Sequence, residues 1–384
     1  MANEFIGRKS AIWLWLEATR GVAVQPQVWI PKQSWVLNPS IESVNDDSGY
    51  WVIDEVYESF VTKAKSEISL GGIVRDSFIG YLLLGALWKC TPVNCYTGTV
   101  SWGTPKRWEG SANNKIKKIV KKWTTTYYYI DWSEITSLTN GTWTLTLTKI
   151  SWVYWYMFER LNNNTHPSFT LFDDDPVSAS YASYSMISTF EISCNVADYV
   201  KFSAAFEGKG VKPVEWALSP AYADENPFTA SMAGVRFAAN EDWLNDAEEL
   251  CMQSFRVSVN KNLADVQCFG STDIDAIFNQ QFTVEGDFTA LYNSITLRDY
   301  VLDTTKKAVR FYAENSNVPA LATGIYPAIY VDVMKAWFTS WSKSDTANEI
   351  INQTIAFNAE YDNATWASIE VLLVNGNWNW YEAA

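Results

Sequence analysis

Residues 66–87 read SEISLGGIVRDSFIGYLLLGAL, and residues 281–302 read QFTVEGDFTALYNSITLRDYVL. Each stretch begins with alternating apolar and polar residues, which is the period of a β-strand with one buried face. Each then passes a glycine, Gly72 or Gly286, and continues with apolar residues at the spacing of an amphipathic helix. The two stretches therefore predict the same unit, a strand followed by one helix, at two places in the chain.

Alternation of period two also dominates the rest of the chain. From Phe60 to Leu70 the even-numbered residues are mostly apolar or small and the odd-numbered ones mostly polar, which predicts a strand with one dry and one wet face. Helices are few: we expect one from about Arg75 to Trp88 and a second near Thr289 to Asp303. Five further stretches show the strand pattern, at residues 142–161, 190–196, 199–208, 353–361 and 367–376.

The repeated pattern predicts two tandem copies of one unit. The closing segments at residues 187–210 and 351–376 both read as strand, polar turn, strand and glycine, and internal self-similarity of this kind marks a duplicated architecture. We place the first unit at residues 1–212, with an insertion at about 89–140, and the second at 213–384. The proline-bearing stretch Val211 to Pro227 joins them.

Length and charge narrow the class of protein. A chain of 384 residues can hold two domains of ordinary size. Its net charge of -14 argues against a dedicated nucleic-acid binder, because such proteins gain affinity by neutralising phosphates with Lys and Arg. The acidic chain nevertheless contains one cluster of basic residues, which we interpret as a solvated or subunit-contacting segment: Lys115, Lys117, Lys118, Lys121 and Lys122.

The first apolar run does not predict export or membrane insertion. Residues 11–16 form a run of six before Glu17 ends it, whereas a signal peptide needs at least about seven apolar residues and a membrane helix about 20. The longest later run, at residues 152–158, is also too short. We therefore expect a soluble chain made in the cytoplasm, with no contact to a membrane.

Catalytic and metal-binding patterns are weak. The single histidine, His166, stands beside Pro167 after an asparagine-rich turn, so we expect a surface-loop residue rather than a catalytic base or metal ligand. The five scattered cysteines form no CxxC pair, which favours buried thiols over a zinc site. The acidic runs at residues 46–47 and 173–175 lack the spacing of a calcium loop and are interpreted as turns. We therefore expect no enzyme activity and no cofactor.

The order of these motifs resembles that of bacteriophage tail tube proteins, also called major tail proteins. The opening IGRKSAIWLWLEATRGVAVQPQVWIP resembles a first strand that runs into a loop with Glu17, Thr19, Gly21 and Ala23. The segment SEISLGGI with its following helix, and the closing segment at residues 351–376, are also similar to that family. The resemblance covers nearly the whole chain except residues 89–140.

The resemblance implies a mainly β fold of the α+β type: two tandem β-sandwich or barrel units, each flanked by one α-helix. It further implies a structural virion protein that is assembled in the bacterial host's cytoplasm and forms homo-oligomeric rings. The rings would stack into a DNA conduit and contact other tail proteins. Duplication leaves two ring types open, a six-fold ring of six chains or a trimer with pseudo-six-fold symmetry. The candidate residues of a ring- or lumen-facing strand are Lys63, Lys65, Glu67 and Glu285.

Two alternatives belong to other classes of protein. The many aromatic residues also fit a β-sandwich carbohydrate-binding module, since exposed Trp and Tyr rings stack on sugars, although packing in a core is their usual role. A polysaccharide hydrolase would need a specific carboxylate pair, and with 43 acidic residues no pair stands out.

The balance of tryptophan and glycine is unusual. The chain has 20 tryptophans and 18 glycines, whereas ordinary usage of about 7% glycine predicts roughly 27. Trp88 follows a predicted helix, where glycine is common because it accepts a positive φ. We therefore consider the hypothesis that a stop codon is read as glycine and written as tryptophan at some positions: Trp15, Trp51, Trp88, Trp108, Trp378 and Trp380.

Overall fold

The fold is mainly β, as the sequence predicts. A computed structural model describes residues 9–48, 54–101, 116–122, 125–131, 134–141, 143–151, 153–161, 163, 166–214, 219–322, 324–344, 350–376 and 381. Two α-helices lie among these residues, α1 (Ile79–Leu87) and α2 (Thr296–Leu302). No helix of the described part is long and apolar enough to cross a membrane.

The strands are numbered in chain order. In the first half they are β1 (Ala11–Leu16), β2 (Val28–Ile30), β3 (Ser34–Asp46), β4 (Glu58–Ile73), β5 (Lys89–Val100), β6 (Ile116–Lys122), β7 (Thr125–Asp131), β8 (Ser137–Asn140), β9 (Trp143–Lys149), β10 (Tyr154–Glu159), β11 (Phe169–Asp174), β12 (Ala179–Asn195), β13 (Lys201–Lys209) and β14 (Lys212–Pro213). In the second half they are β15 (Ala233–Ala238), β16 (Glu249–Leu250), β17 (Met252–Asn260), β18 (Leu263–Val266), β19 (Ala276–Asn279), β20 (Thr283–Leu291), β21 (Lys306–Glu314), β22 (Ala328–Lys343), β23 (Asn352–Ala359) and β24 (Ile369–Asn375).

Eight of these strands form one continuous antiparallel sheet, which we call the long sheet. Its strand order is β3-β4-β13-β12-β17-β20-β23-β22. The first four strands come from the first half of the chain and the last four from the second half. Pairing of β12 with β17 is the junction between the two halves.

The two four-stranded halves of the long sheet are built alike. In each, a hairpin (β3–β4 or β17–β20) is followed in the chain by a helix and later by a second hairpin (β12–β13 or β22–β23). In each, the second strand of the first hairpin pairs with the second strand of the second hairpin. Both second hairpins also carry a β-bulge at the same register, after Ile187 opposite Phe206 and after Phe338 opposite Phe357.

This register corrects the alignment of the closing segments. The counterpart of β12–β13 is β22–β23, so the second closing hairpin spans residues 328–359 and not 351–376. Strand β24 is an addition that pairs with the first half of β22 and with β10. The two segments looked alike because any apolar hairpin shows the same alternation.

Both helices begin later than the sequence predicts. Helix α1 begins at Ile79 rather than near Arg75, since the preceding residues are tied to the segment between the two halves: the Phe78 N–H donates to Glu225 Oε1 at 2.8 Å. Strand β20 continues to Leu291, so α2 begins only at Thr296. Helix α1 ends at Leu87, as expected.

One main core lies under the inner face of the long sheet. It contains all the apolar residues of α1 and is closed by strands β1, β10, β11 and β24. Alternation along the sheet supplies the inward residues, such as Ile68 and Leu70 of β4 and Phe202 and Phe206 of β13. Burial of apolar area of this kind is the main force that holds the layers together.

The outer half of the β3–β4 hairpin lacks such a layer. Phe60 and Val61 are both largely exposed, although they lie on opposite faces of β4. Ile41 and Val44 of β3 are exposed as well. The expectation of one dry face from Phe60 to Leu70 is therefore correct only from Ser66 onward.

The segment predicted as an insertion, at about residues 89–140, forms strands. Strands β5 to β9 form a sheet in the order β8-β9-β5-β7-β6, and β5 also pairs with β10. Its apolar residues make a small core of their own that includes Tyr96, Tyr128 and Leu145. Residues 102–115 lie outside the described part of the chain.

Candidate functional site

The outer face of the long sheet is a regular surface that runs across eight strands, and we call it the polar face. Because side chains alternate across a strand, every inward apolar residue has outward neighbours. These neighbours are mostly small and polar: Ser69, Glu191, Ser193, Ser203, Ala205, Arg256, Ser258, Glu285, Asp287, Thr289, Thr354, Ala356 and Asn358.

Charges on the polar face are paired with one another. Arg256 Nε lies 2.6 Å from Asp287 Oδ1, and its Nη1 lies 3.4 Å from Glu191 Oε2, so one cation links three neighbouring strands. The hydrogen bond that Arg256 donates to Asp287 is the main reason that the pKa of Arg256 is raised. Lys65 Nζ lies 3.0 Å from Glu67 Oε1, which likewise raises the pKa of Lys65. The polar face therefore offers no run of free positive charge in the described part.

The four predicted strand residues lie on the polar face. Glu67 of β4 and Glu285 of β20 occupy equivalent positions, since each lies opposite the matching residue of the neighbouring strand, Glu207 or Asn358. Lys65 lies two residues from Glu67 on the same face. Lys63 precedes Lys65 by two residues on the same strand face and binds Asp265 of β18 at 2.8 Å, which holds the β18–β19 hairpin against β4.

Both ends of the long sheet are open. Strand β3 pairs with β4 alone among the described strands. At the other end, the last residues of β22, 338–343, pair with β23 on one side, and no described strand covers the other side because β21 begins opposite Trp337. Unpaired edges present free N–H and C=O groups and are templates for pairing with another chain.

The lysine cluster is only partly solvated, and its contact with another subunit stays a prediction. Lys118 is fully buried and forms an ion pair with Asp332 of β22, which also receives two bonds of 2.8 Å from Arg310 of β21. Lys121 and Lys122 pair with Asp246 and Glu314. Long-range pairing of this kind leaves no trace in the local sequence, which shows only the charges. Lys115 lies outside the described residues.

The loop after the first strand is organised by Glu17. Its buried carboxylate accepts hydrogen bonds from the Gly21 N–H at 2.7 Å, the Tyr184 N–H at 2.7 Å and the hydroxyls of Ser168 and Thr170. Gly21 has a φ of 76°, which glycine accepts at little cost. The loop motif of residues 17–23 is therefore a structural joint between β1, β11 and β12.

His166 is buried, contrary to the expectation of a surface residue. Its ring packs edge-on against Trp88, with 4.7 Å between centroids, and neither ring nitrogen has a hydrogen-bond partner among the described residues. Burial, followed by the charges of Lys261 and Arg20, lowers the pKa of His166 to about 3. The buried imidazole is therefore neutral at pH 7.

The cysteines and acidic runs have ordinary roles. Cys95 and Cys194 are buried thiols as expected, whereas Cys251 and Cys268 are exposed, and none of the five cysteines, all of which lie in the described part, forms a disulfide bond. Asp175 accepts hydrogen bonds from the N–H groups of Val177 and Ser178, so a turn begins there as predicted, whereas Asp173 and Asp174 are the last residues of β11. No cluster of metal-ligating side chains is found among the described residues.

The exposed tryptophans of the described part lie on separate elements. Trp243, Trp337 and Trp366 are the tryptophans with the largest exposed fractions in the described part, and each lies on a different element. Most other described tryptophans lie in the core, such as Trp13 stacked on Trp29 and Trp155 beside Tyr129. These positions form no flat aromatic platform of the kind that sugars stack on.

A continuous sheet with a polar outer face and two open edges defines a β-rich structural scaffold. The sequence comparison gives the family: the model of the phage tail tube protein family matches residues 7–359, and the chain belongs to that family. It is therefore a structural component of a phage tail. No curated protein sequence matches the chain.

Proposed function

We propose that this chain is a major tail tube subunit that self-assembles into rings, and that the rings stack into the channel through which DNA passes. The observation that carries this proposal is the β12–β17 junction. It joins two four-stranded sheets of identical strand order, and the same kind of junction between β22 of one copy and β3 of the next would extend the sheet. Repetition of one heterologous contact closes a ring when the rotation fits.

The internal junction predicts the register of the contact between copies. Within the chain, Glu191 of β12 lies opposite Ser258 of β17. Counted from the equivalent bulges, Ser342 of β22 corresponds to Glu191 of β12. Counted from the equivalent residues Glu67 and Glu285, Asn38 of β3 corresponds to Ser258 of β17. We therefore expect Ser342 of one copy to lie opposite Asn38 of the next.

A chain with two equivalent sheets supports the trimer over a hexamer. If the units at residues 1–212 and 213–384 take equivalent places, three chains provide six four-stranded sheets, which is pseudo-six-fold symmetry. A ring of six chains would leave half of the sheets without a place in a six-unit barrel. The barrel of three chains would contain 24 strands and no unpaired edge, which removes the open edges of the free subunit.

The polar face suits the lining of a DNA channel. Its cations are paired with carboxylates, as in the Arg256, Asp287 and Glu191 group, so they do not offer free charge to phosphates. Affinity for DNA comes largely from cations that neutralise phosphates. Small hydroxyl side chains between the charges are uncharged and short, so we expect DNA to pass without lasting contacts.

Cysteine cross-linking tests the register. In a background with Cys251 and Cys268 replaced by serine, Ser342→Cys with Asn38→Cys should form disulfides between copies in assembled tubes. The Ser344 N–H donates to the Asn352 carbonyl in β23, and Ser342, two residues earlier, has its N–H and C=O on that same side. On its open side Ser342 would therefore form a non-hydrogen-bonded pair with Asn38 of the next copy, with Cα atoms about 4.5 Å apart. That distance lies within the disulfide range of about 4.4–6.8 Å.

The matched control shifts the register by two residues. Ser342→Cys with Val36→Cys keeps both side chains on the polar face and should cross-link weakly. Equal cross-linking of the two pairs in assembled tubes, or none in either, would contradict the proposed contact. Electron micrographs of the same tubes give the symmetry: six identical positions in each ring would exclude the trimer, and the absence of tubes would exclude self-assembly into rings.

A further inference from the structure

Two tryptophans occupy backbone positions that favour glycine. Trp88 has a φ of 76° and Trp366 a φ of 60°. Both N–H groups donate 2.8 Å hydrogen bonds to the carbonyl four residues earlier, that of Leu84 and that of Asp362. This is the left-handed end of a helical turn, where glycine is preferred because a Cβ atom is crowded there.

The side chain of tryptophan does not explain its place at these positive φ angles. Among the described residues, six non-glycine residues have such a φ, and two of them are tryptophans. Indole offers no local hydrogen bond that would favour this conformation, unlike the side chain of Asn or Asp. Chance placement would more often select common residues of turns.

Trp88 lies among polar and charged side chains. It is buried, and neither its Nε1 nor the two nitrogens of His166 beside it has a hydrogen-bond partner among the described residues, although the Nε1 of Trp155 and of three other tryptophans lacks one too. Lys261 Nζ lies 5.3 Å from the ring and Arg160 Cζ 5.7 Å. These cations can attract the ring face, but they accept no hydrogen bond. Buried polar groups are nearly always satisfied by protein or by water.

Glycine at position 88 would resolve this arrangement. Its left-handed φ would cost little, and the space of the indole would be lined by the polar atoms of His166, Lys261 and Arg160. Such a space holds water, which can serve both ring nitrogens of His166. The ammonium of Lys261 already donates to the Gly85 carbonyl at 2.7 Å and would keep that bond.

Trp366 gives the second, independent case. It ends the turn after β23, in which the carboxylate of Asp362 accepts bonds from Ala364 and Thr365. Its side chain is 71% exposed, so burial does not offset the crowded backbone. The turn would form equally well with glycine, and the apolar ring would no longer face water.

We infer that residues 88 and 366 are glycines in the protein as its host makes it, because a codon written as tryptophan is decoded there as glycine. The glycine deficit and tryptophan excess of the whole chain point the same way. Trp15 is not included: it lies within β1 opposite Thr170 and has ordinary strand geometry. Trp51, Trp108, Trp378 and Trp380 lie outside the described residues.

Mass spectrometry of the protein from its natural source identifies the residues at positions 88 and 366. Trypsin should release residues 76–89 and 344–384, and fragment ions should show glycine at 88 and at 366. Tryptophan at either position overturns the inference for that position.

Recombinant variants give a second test that uses the written sequence. Trp88→Gly and Trp366→Gly should raise the thermal unfolding midpoint or leave it unchanged, although loss of a large buried side chain normally lowers it. Trp155→Gly is the matched control, because Trp155 is buried in β10 between two paired strands, and it should lower the midpoint. A drop for Trp88→Gly as large as that of the control would overturn the inference.

Discussion

Replacement of Asp332 by asparagine should strongly destabilise the protein. Asp332 is fully buried between Lys118 of β6 and Arg310 of β21, and Arg310 binds both of its oxygens at 2.8 Å. Burial disfavours the charged carboxylate, but the two cations outweigh it and lower the pKa of Asp332 to about 2. Asparagine keeps the shape of the side chain and removes the charge that balances the two cations.

Two estimates give the size of the effect. A pKa lowered from 3.8 to about 2 corresponds to about 2 kcal/mol in favour of the folded state. Loss of one partner from a buried ion pair typically costs about 3–5 kcal/mol, because the other charge is left unbalanced. We therefore expect Asp332→Asn to lower the free energy of unfolding by about 3 kcal/mol or more at pH 7.

Urea titration with tryptophan fluorescence measures this loss. The control is Lys118→Met, which leaves the Arg310 pair intact and should cost about 1 kcal/mol or less. Stabilisation by the Asp332 carboxylate should be full above about pH 4 and should fall as the pH approaches 2, because the folded-state pKa is the lower one. Equal losses in the two variants would refute the reasoning, since charge balance would then not be the cause.

Three further predictions follow from single groups. Burial raises the pKa of Glu225 to about 7, so the folded state favours the neutral form of this side chain. The free energy of unfolding should therefore fall by about 3 kcal/mol at most as the pH rises from about 4.5 to 7. Urea titrations at pH 5 and 8 should show a smaller difference for Glu225→Gln. Glu17→Ala leaves four donors without their acceptor and should cost about 3 kcal/mol or more in unfolding free energy, and a loss below about 0.5 kcal/mol would contradict the joint described here. In the proposed ring, Glu67→Lys with Glu285→Lys should leave tubes intact but slow DNA release at low salt in ejection assays, with recovery at high salt; an unchanged rate would argue that the polar face does not line the channel.

The repeating unit was predictable because it rests on local patterns. Period-two alternation identifies β4 and β20, and a switch to helical spacing identifies α1 and α2. Burial along β4 was only half predictable, since exposure of Phe60 depends on the absence of a second layer beneath the outer hairpin. A sequence pattern shows which residues share a face but not what covers that face.

The polar contacts were not predictable, because their partners lie far away in the sequence. Lys118 meets Asp332 more than two hundred residues later, and the buried cluster around His166 includes Lys261 of the second half. Local sequence around these residues shows only charges and turns, which are usually exposed. Glu17 was recognisable as part of a loop motif, but its four hydrogen bonds required the positions of β11 and β12.

The presence of two similar four-stranded halves in one chain has an energetic consequence for the proposed ring. Association of separate chains costs roughly 4–15 kcal/mol in lost translational and rotational freedom each time. A ring of six single units needs five such associations before it closes, whereas three double units need two. Within each chain the β12–β17 junction is already formed, so half of the contacts in the ring are present before assembly begins. Each remaining contact, between β22 of one copy and β3 of the next, can then be weaker and the ring still closes. Weaker contacts let subunits separate and correct a wrong pairing before the tube grows.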